Sequence, residues 1–203
     1  MKRDSNWLKR HHQDQYVKQA RKENYRSRAV FKLKQIDLRD RLFRQGQTVV
    51  DLGAAPGGWS QYAAERVQPG GRVIAVDILE MKPLDNVEVI QGDFSDDLVY
   101  QRLRDTIGEA PVDLVISDLS PNITGIKQTD QARSLYLAEL VVAFGCESLC
   151  KGGSILIKVF QGAGVDALRN ELCNKFQKLI IRKPPASRDS SREFYILAKG
   201  FGI

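Results

Sequence analysis

Short runs of apolar and β-branched residues recur along this chain, and helix-length segments separate most of them. The first five are Thr48-Val-Val-Asp-Leu52, Arg72-Val-Ile-Ala-Val-Asp77, Val87-Glu-Val-Ile90, Val112-Asp-Leu-Val-Ile-Ser117 and Ser154-Ile-Leu-Ile-Lys-Val-Phe160. Runs that are apolar at nearly every position, rather than at alternate ones, suit strands covered on both faces. Helical segments are expected at Trp59–Val67, at about 129–150 and near 164–176. They supply the crossovers that a parallel sheet requires. Lys178-Leu-Ile-Ile-Arg182 and Glu193-Phe-Tyr-Ile-Leu-Ala198 close the chain. The stretch between them, Lys183 to Arg192, has no room for a crossover helix, so this last pair should be antiparallel. The fold class is therefore α/β: a seven-stranded, mostly parallel sheet with its last strand reversed and helices on both faces.

With 203 residues, 42% of them hydrophobic, the chain can bury a core of its own as one domain. Cys146, Cys150 and Cys173 form no Cys-x-x-Cys pair, and His11 and His12 lie far from them. That is not metal-ligand spacing, and no metal is expected. The polar N-terminus lacks a signal-peptide core, and no apolar run reaches membrane-spanning length. A cytoplasmic monomer without membrane contact is the expectation.

The net charge of +6 is unevenly placed. Residues 1–44 hold 14 Lys/Arg against 5 Asp/Glu, whereas the rest hold 17 against 20. Trp7, Tyr16 and Tyr25 are interleaved with Lys9, Arg10, Lys18, Arg21, Lys22, Arg26 and Arg28. Cations among rings can neutralise phosphates and stack on bases, so this segment is expected to contact nucleic acid. Residues 1–25 read as a weakly ordered basic arm and 26–203 as one domain. A helical pattern starts at Arg26 (Ala29/Val30, Leu33, Ile36, Leu42/Phe43) and is expected to end at Gly46.

Ligands of open α/β sheets bind beyond the carboxyl ends of the strands. The first strand ends at Asp51 and runs into Gly53-Ala-Ala-Pro-Gly-Gly58, small residues that let backbone approach a ligand. Ala55 breaks the G-x-G-x-x-G dinucleotide fingerprint, and no phosphate-cradling G-x-x-x-x-G-K-[ST] is present. The loop thus suits a nucleoside without phosphates. Asp77 ends the second strand, where it could accept from ribose hydroxyls. Gly92-Asp-Phe94 follows the third, where Asp93 could accept from an adenine amino group and Phe94 could flank the base. Lys158 places a charge inside a buried strand and needs a partner. Asp118 ends the neighbouring strand, and Glu193 opens the reversed one, so all three should meet at one sheet edge.

Six segments in order now resemble one family: Tyr25–Leu33, Asp51–Ser60, Gly92–Phe94, Ser117–Asn122, Ile157–Gly162 and Ser191–Glu193. They look like the FtsJ family of RNA ribose 2′-O-methyltransferases, and most like its bacterial large-subunit ribosomal RNA members. The resemblance implies a Rossmann-like fold with S-adenosylmethionine as methyl donor. It further implies a Lys-Asp-Lys-Glu tetrad at Lys32, Asp118, Lys158 and Glu193. Cofactor contacts would fall on the loop of Gly53 and Gly57 and on Trp59, Asp77, Asp93 and Asp118. The implied substrate is a uridine ribose of 23S rRNA, presented within the large ribosomal subunit or its precursor. Lys158 would take or steer the 2′-hydroxyl proton and Asp118 would align it, with Lys32 and Glu193 supporting binding. A second cation at Lys32 would favour the uncharged amine of Lys158, while Asp118 and Glu193 pull the other way. A base N-methyltransferase is the nearest rival, but Asp118-Leu-Ser-Pro-Asn122 lacks the Pro-Pro-aromatic signature of that class. An RNA-binding assembly factor without activity would not need an intact tetrad. A nicotinamide oxidoreductase is disfavoured by Ala55.

Overall fold

The structure is a computed structural model that describes residues 14–121, 124–188 and 191–202. Trp7, Lys9, Arg10, His11, His12 and Asn122 lie outside the described residues. The apolar runs form a sheet of seven strands: β1 (Thr48–Leu52), β2 (Arg72–Asp77), β3 (Val87–Gln91), β4 (Val112–Ser117), β5 (Leu149–Phe160), β6 (Phe176–Arg182) and β7 (Glu193–Phe201). Their spatial order is β3-β2-β1-β4-β5-β7-β6. The first five pair parallel, while β7 runs antiparallel to both β5 and β6. The expected fold class holds. The strand β5 starts at Leu149 rather than Ser154, with a register shift against β4 between Val112 and Leu114.

Helices cover both faces, and strand parity decides which residues meet them. Val50, Leu52, Ile74, Ile155, Ile157 and Val159 share one core with α4 (Asp97–Ile107), α5 (Lys127–Ser148) and α6 (Val165–Lys175). Val49, Val73, Leu156, Tyr195 and Leu197 face the other core, with α2 (Val30–Asp40) and α3 (Gly58–Val67). Period-two alternation puts Lys158 on the same side as Leu156, and Glu193 on the same side as Tyr195. That is the side on which α2 lies, and α2 carries Lys32.

Two sequence expectations are corrected here. The described part of the basic arm contains a helix, α1 (Gln15–Lys22), started by Asp14, whose side chain accepts from the Tyr16 N–H. Val17 and Ala20 of α1 are buried, Ala20 against the same cluster as Val30 and Phe31. The following helix ends at Asp40, not near Gly46, with Arg41 in the left-handed region at φ 52°. The reason is the buried Asp37 carboxylate. It accepts from the N–H groups of Leu42 and Phe43 at 2.8 and 3.2 Å and from the Tyr62 hydroxyl at 2.7 Å. Pinning the chain there turns Leu42 and Phe43 back under the core. That burial is worth more than another turn of exposed helix.

A second buried acid joins β1 to α3. Asp51 is 1% exposed and accepts from the Ser60 hydroxyl at 2.6 Å. Burial, with the Asp118 and Asp77 carboxylates nearby, pushes its pKa up to about 7 despite that hydrogen bond. A carboxyl raised in the folded state gives stability that is full below its ordinary value of 3.8 and lost as pH rises through about 7. Asp51→Asn should remove that loss. Urea unfolding near pH 8 should show the variant gaining about 3 kcal/mol relative to its standing near pH 5. Parallel stability profiles for the two proteins would contradict the assignment.

Candidate active site

Strand pairing builds the polar centre. Lys158 on β5 sits directly opposite Tyr195 on β7, and Phe160 opposite Glu193. The end of β4 delivers Asp118 beside them. The Lys158 ammonium donates to the Asp118 main-chain carbonyl at 2.6 Å and lies 3.0 Å from Oδ1 of the same residue. The Tyr195 hydroxyl donates to that oxygen at 2.6 Å. Lys32 comes from α2, 3.8 Å from Asp118 Oδ1 and 2.7 Å from Glu193 Oε1. All four residues expected to form the tetrad are therefore within one connected group.

The group is nearly dry: Lys158 is 7% exposed. Burial pushes the Asp118 carboxyl up, but Lys158, Lys32 and the Tyr195 hydroxyl outweigh it and hold the acid below the usual range. Burial likewise raises Glu193, and Lys32 more than reverses it. The Tyr195 hydroxyl is driven well above its ordinary value by burial and by the two adjacent carboxylates. It therefore stays a donor to Asp118. Tyr195 did not emerge from sequence reasoning, although Glu193 and Tyr195, two apart on one strand, share a face. Its ring also stands 5.8 Å from that of Trp59 and 5.7 Å from the Lys32 ammonium.

Beside the group opens a cleft of about 310 Å³ lined by Arg28, Lys32, Phe160, Arg188, Ser191 and Glu193. Arg28 is held by protein partners, donating to the Asp14 carboxylate and the Ala186 carbonyl.

The ends of β1, β2 and β3 form the neighbouring edge. Gly53 and Gly57 have φ of 78° and 104°, and a Cβ at Gly53 would fall 2.2 Å from Leu119 Cδ2. The left-handed backbone at both positions favours glycine, and the Leu119 side chain packs onto the face that Gly53 leaves bare. Asp77 closes the loop against its own strand end, accepting from the N–H groups of Ala55 and Leu79 at 2.8 Å each. Asp93 Oδ1 accepts from the N–H and hydroxyl of Ser95. Ile78 and Leu79, directly after Asp77, are 60% and 62% exposed, an apolar surface facing no core. Phe94, expected to flank a base, is instead buried in the core with Leu103. Trp59 is also buried, and its indole N–H donates to the Ala29 carbonyl at 2.8 Å. Any ligand contact at position 59 is thus left to its backbone at the start of α3.

The guanidinium of Arg26 donates to the carbonyls of Pro56, Lys82 and Pro83 at 3.3, 2.7 and 2.6 Å. Arg26, one of the cations expected to meet nucleic acid, also has a role inside the fold. Here it fastens the loop after β1 to the loop after β2. Among the described residues no group of His, Cys, Asp and Glu could hold a metal ion, and no helix is long and apolar enough to cross a membrane.

Comparison with known proteins shows the family. Residues 25–201 match the FtsJ-like methyltransferase family. The large-subunit ribosomal RNA methyltransferase E of Alkalilimnicola ehrlichii is 54% identical over 97% of this chain and 94% of its own. The protein of that name from Legionella pneumophila is 49% identical over 100% and 98%. A crystal structure of a Plasmodium falciparum protein described as a ribosomal RNA methyltransferase superposes with a TM-score of 0.79 at 28% identity, covering 87% of this chain and 98% of that one. The chain belongs to the FtsJ-like methyltransferase family.

Proposed function

We propose that this protein methylates the ribose 2′-hydroxyl of a uridine in 23S rRNA, using S-adenosylmethionine, with the large ribosomal subunit or its precursor as substrate. The observation that carries the reading is the anchoring of Lys158 by Asp118. A tetrahedral nitrogen bonded to its own chain has three remaining positions. One of them is directed to the Asp118 carbonyl, and the Asp118 carboxylate 3.0 Å away restrains the ammonium by charge. With the nitrogen held in this way, a remaining position either accepts the 2′-hydroxyl proton or holds that hydroxyl in line.

S-adenosylmethionine supplies a methyl group already activated by its sulfonium charge, so alignment and deprotonation are what the protein adds. The edge fits such a ligand. Carboxylates at Asp77, Asp93 and Asp118 suit hydroxyl, amino and cationic groups rather than phosphates. The exposed Ile78 and Leu79 suit an apolar ring. The backbone at Gly53, Gly57 and Trp59, with Asp77, Asp93 and Asp118, would hold it. Tyr195 keeps the Asp118 carboxylate in place through its hydroxyl. The Lys32–Glu193 pair closes the cleft wall, and Arg188 in that wall brings a cation for the RNA backbone.

Mapping 2′-O-methyl positions in ribosomal RNA with and without the protein tests the reading, and an unchanged map would remove it. Lys158→Ala should lower transfer by about 10²–10⁴-fold while cofactor affinity by calorimetry stays within a few-fold. Lys158→Arg should be equally impaired, because a guanidinium does not release its proton in this range. Near-normal turnover by either variant would sink the role of Lys158. Arg26→Lys should weaken cofactor binding about tenfold, since an ammonium cannot span three carbonyls on two loops, and should leave the KM for ribosomal particles unchanged. A change in that KM alone would instead make Arg26 an RNA contact.

A further inference from the structure

Phe160 and Ser191 line two neighbouring clefts. One is the cleft bounded by Lys32 and Glu193; the other, about 290 Å³, is lined by Pro121, Lys127, Gln131, Phe160, Gln161 and Arg192, among others. Phe160 follows Lys158 by two residues on β5, about 7 Å along the strand and on the same face. Nothing in the transfer chemistry uses the second cleft, yet its parts are held in place. Asp130, at the start of α5, accepts from the Thr124 N–H and hydroxyl and the Gly125 N–H at 2.8, 2.7 and 3.1 Å, fixing the loop at its rim. Gln131 donates from Nε2 to the Ala163 carbonyl at 2.6 Å. The absence of a side chain at Gly162 makes room for that amide: a Cβ there would lie 2.1 Å from Gln131 Cδ. An amide anchored by one N–H presents its Oε1 and second N–H in a fixed plane.

A ring and a proline as walls, a fixed amide at one edge and exposed cations Lys127 and Arg192 at the rim together describe a holder for a flat polar heterocycle on an anionic strand. We infer that the cleft receives a nucleobase of the acceptor RNA, at or next to the methylated nucleotide, stacked on Phe160 with its edge read by the Gln131 amide. This rests on the RNA methyltransferase reading above and adds to it a base-reading element separate from the tetrad.

Large-subunit particles carrying 4-thiouridine in their ribosomal RNA, irradiated with the full-length protein, should give cross-links on the peptides that contain Gln131 and Phe160. Phe160→Ala and Gln131→Ala should each raise the KM for particles on the order of tenfold, with cofactor affinity unchanged. Gly162→Ala should reproduce the Gln131→Ala effect by displacing the amide. If the wild-type chain methylates particles but all three variants keep its KM, or cross-links fall only on peptides away from this cleft, the base-holding role is overturned. Failure of the wild-type chain to methylate particles would overturn the parent reading, and this one with it.

Discussion

One carboxylate oxygen organises the centre of this molecule. Oδ1 of Asp118 takes the Tyr195 hydroxyl, faces the Lys158 ammonium and lies near that of Lys32. Those groups come from β4, β7, β5 and α2, elements drawn from nearly the whole length of the chain. The reversed strand β7 is what makes this possible. Its start lies at the edge where the parallel strands end, so Glu193 and Tyr195 arrive beside Asp118 instead of at the far side of the sheet.

Such a group is not built for stability. Desolvating two carboxylates and two ammoniums costs several kcal/mol per ion, and apolar residues of the same volume would often hold the fold as well. The near balance of charge and the short contacts offset this cost, as the lowered pKa values of Asp118 and Glu193 show. What the arrangement gains is orientation. Lys158 is fixed by one residue through both its main chain and its side chain, and Lys32 is drawn toward Glu193 at 2.7 Å. The two lysines share Asp118 unequally: Lys32 lies 3.8 Å from its Oδ1 and closer to Glu193, whereas Lys158 donates directly to the Asp118 carbonyl at the end of β4.

The sheet was legible in the sequence because buried parallel strands leave continuous apolar runs, and Lys158 stood out as the one cation in the interior of the first five of them. The reversal of the last strand then placed Glu193, whose position opens that strand at the edge where the others end. Lys32 could be located only through family resemblance, since a lysine in an amphipathic helix looks like any solvated cation. Tyr195 looked like an ordinary core aromatic, its hydroxyl becoming informative only once Asp118 stood opposite. The fastening role of Arg26 was hidden because its carbonyl acceptors, at residues 56, 82 and 83, converge only through folding. The early helix stop at Asp40 has the same origin. Asp37 fits the helical pattern, and its capture of the Leu42 and Phe43 N–H groups follows from the Tyr62 hydroxyl waiting on α3.

The basic surplus of residues 1–44 was read as a nucleic-acid field, and folding could have erased it by pairing. Among the described residues, 14–44, the ion pairs do not erase it. Within the segment, Arg28 meets Asp14 and Lys34 meets Glu23, partners already subtracted in the count. Across its boundary, Lys32 and Arg44 lose charge to Glu193 and Asp113. In the opposite direction, Asp37 and Asp40 are matched by Arg66 and Arg182 from outside. Among the described residues 14–44, two cations and two acids are thus neutralised from beyond the segment, and their basic surplus survives. Arg26 keeps its charge as well, because carbonyl dipoles hold a guanidinium without cancelling it. Loop fastening and attraction of a polyanion are therefore compatible in one residue: the contacts fix where the charge sits, and the field it contributes extends about a Debye length beyond.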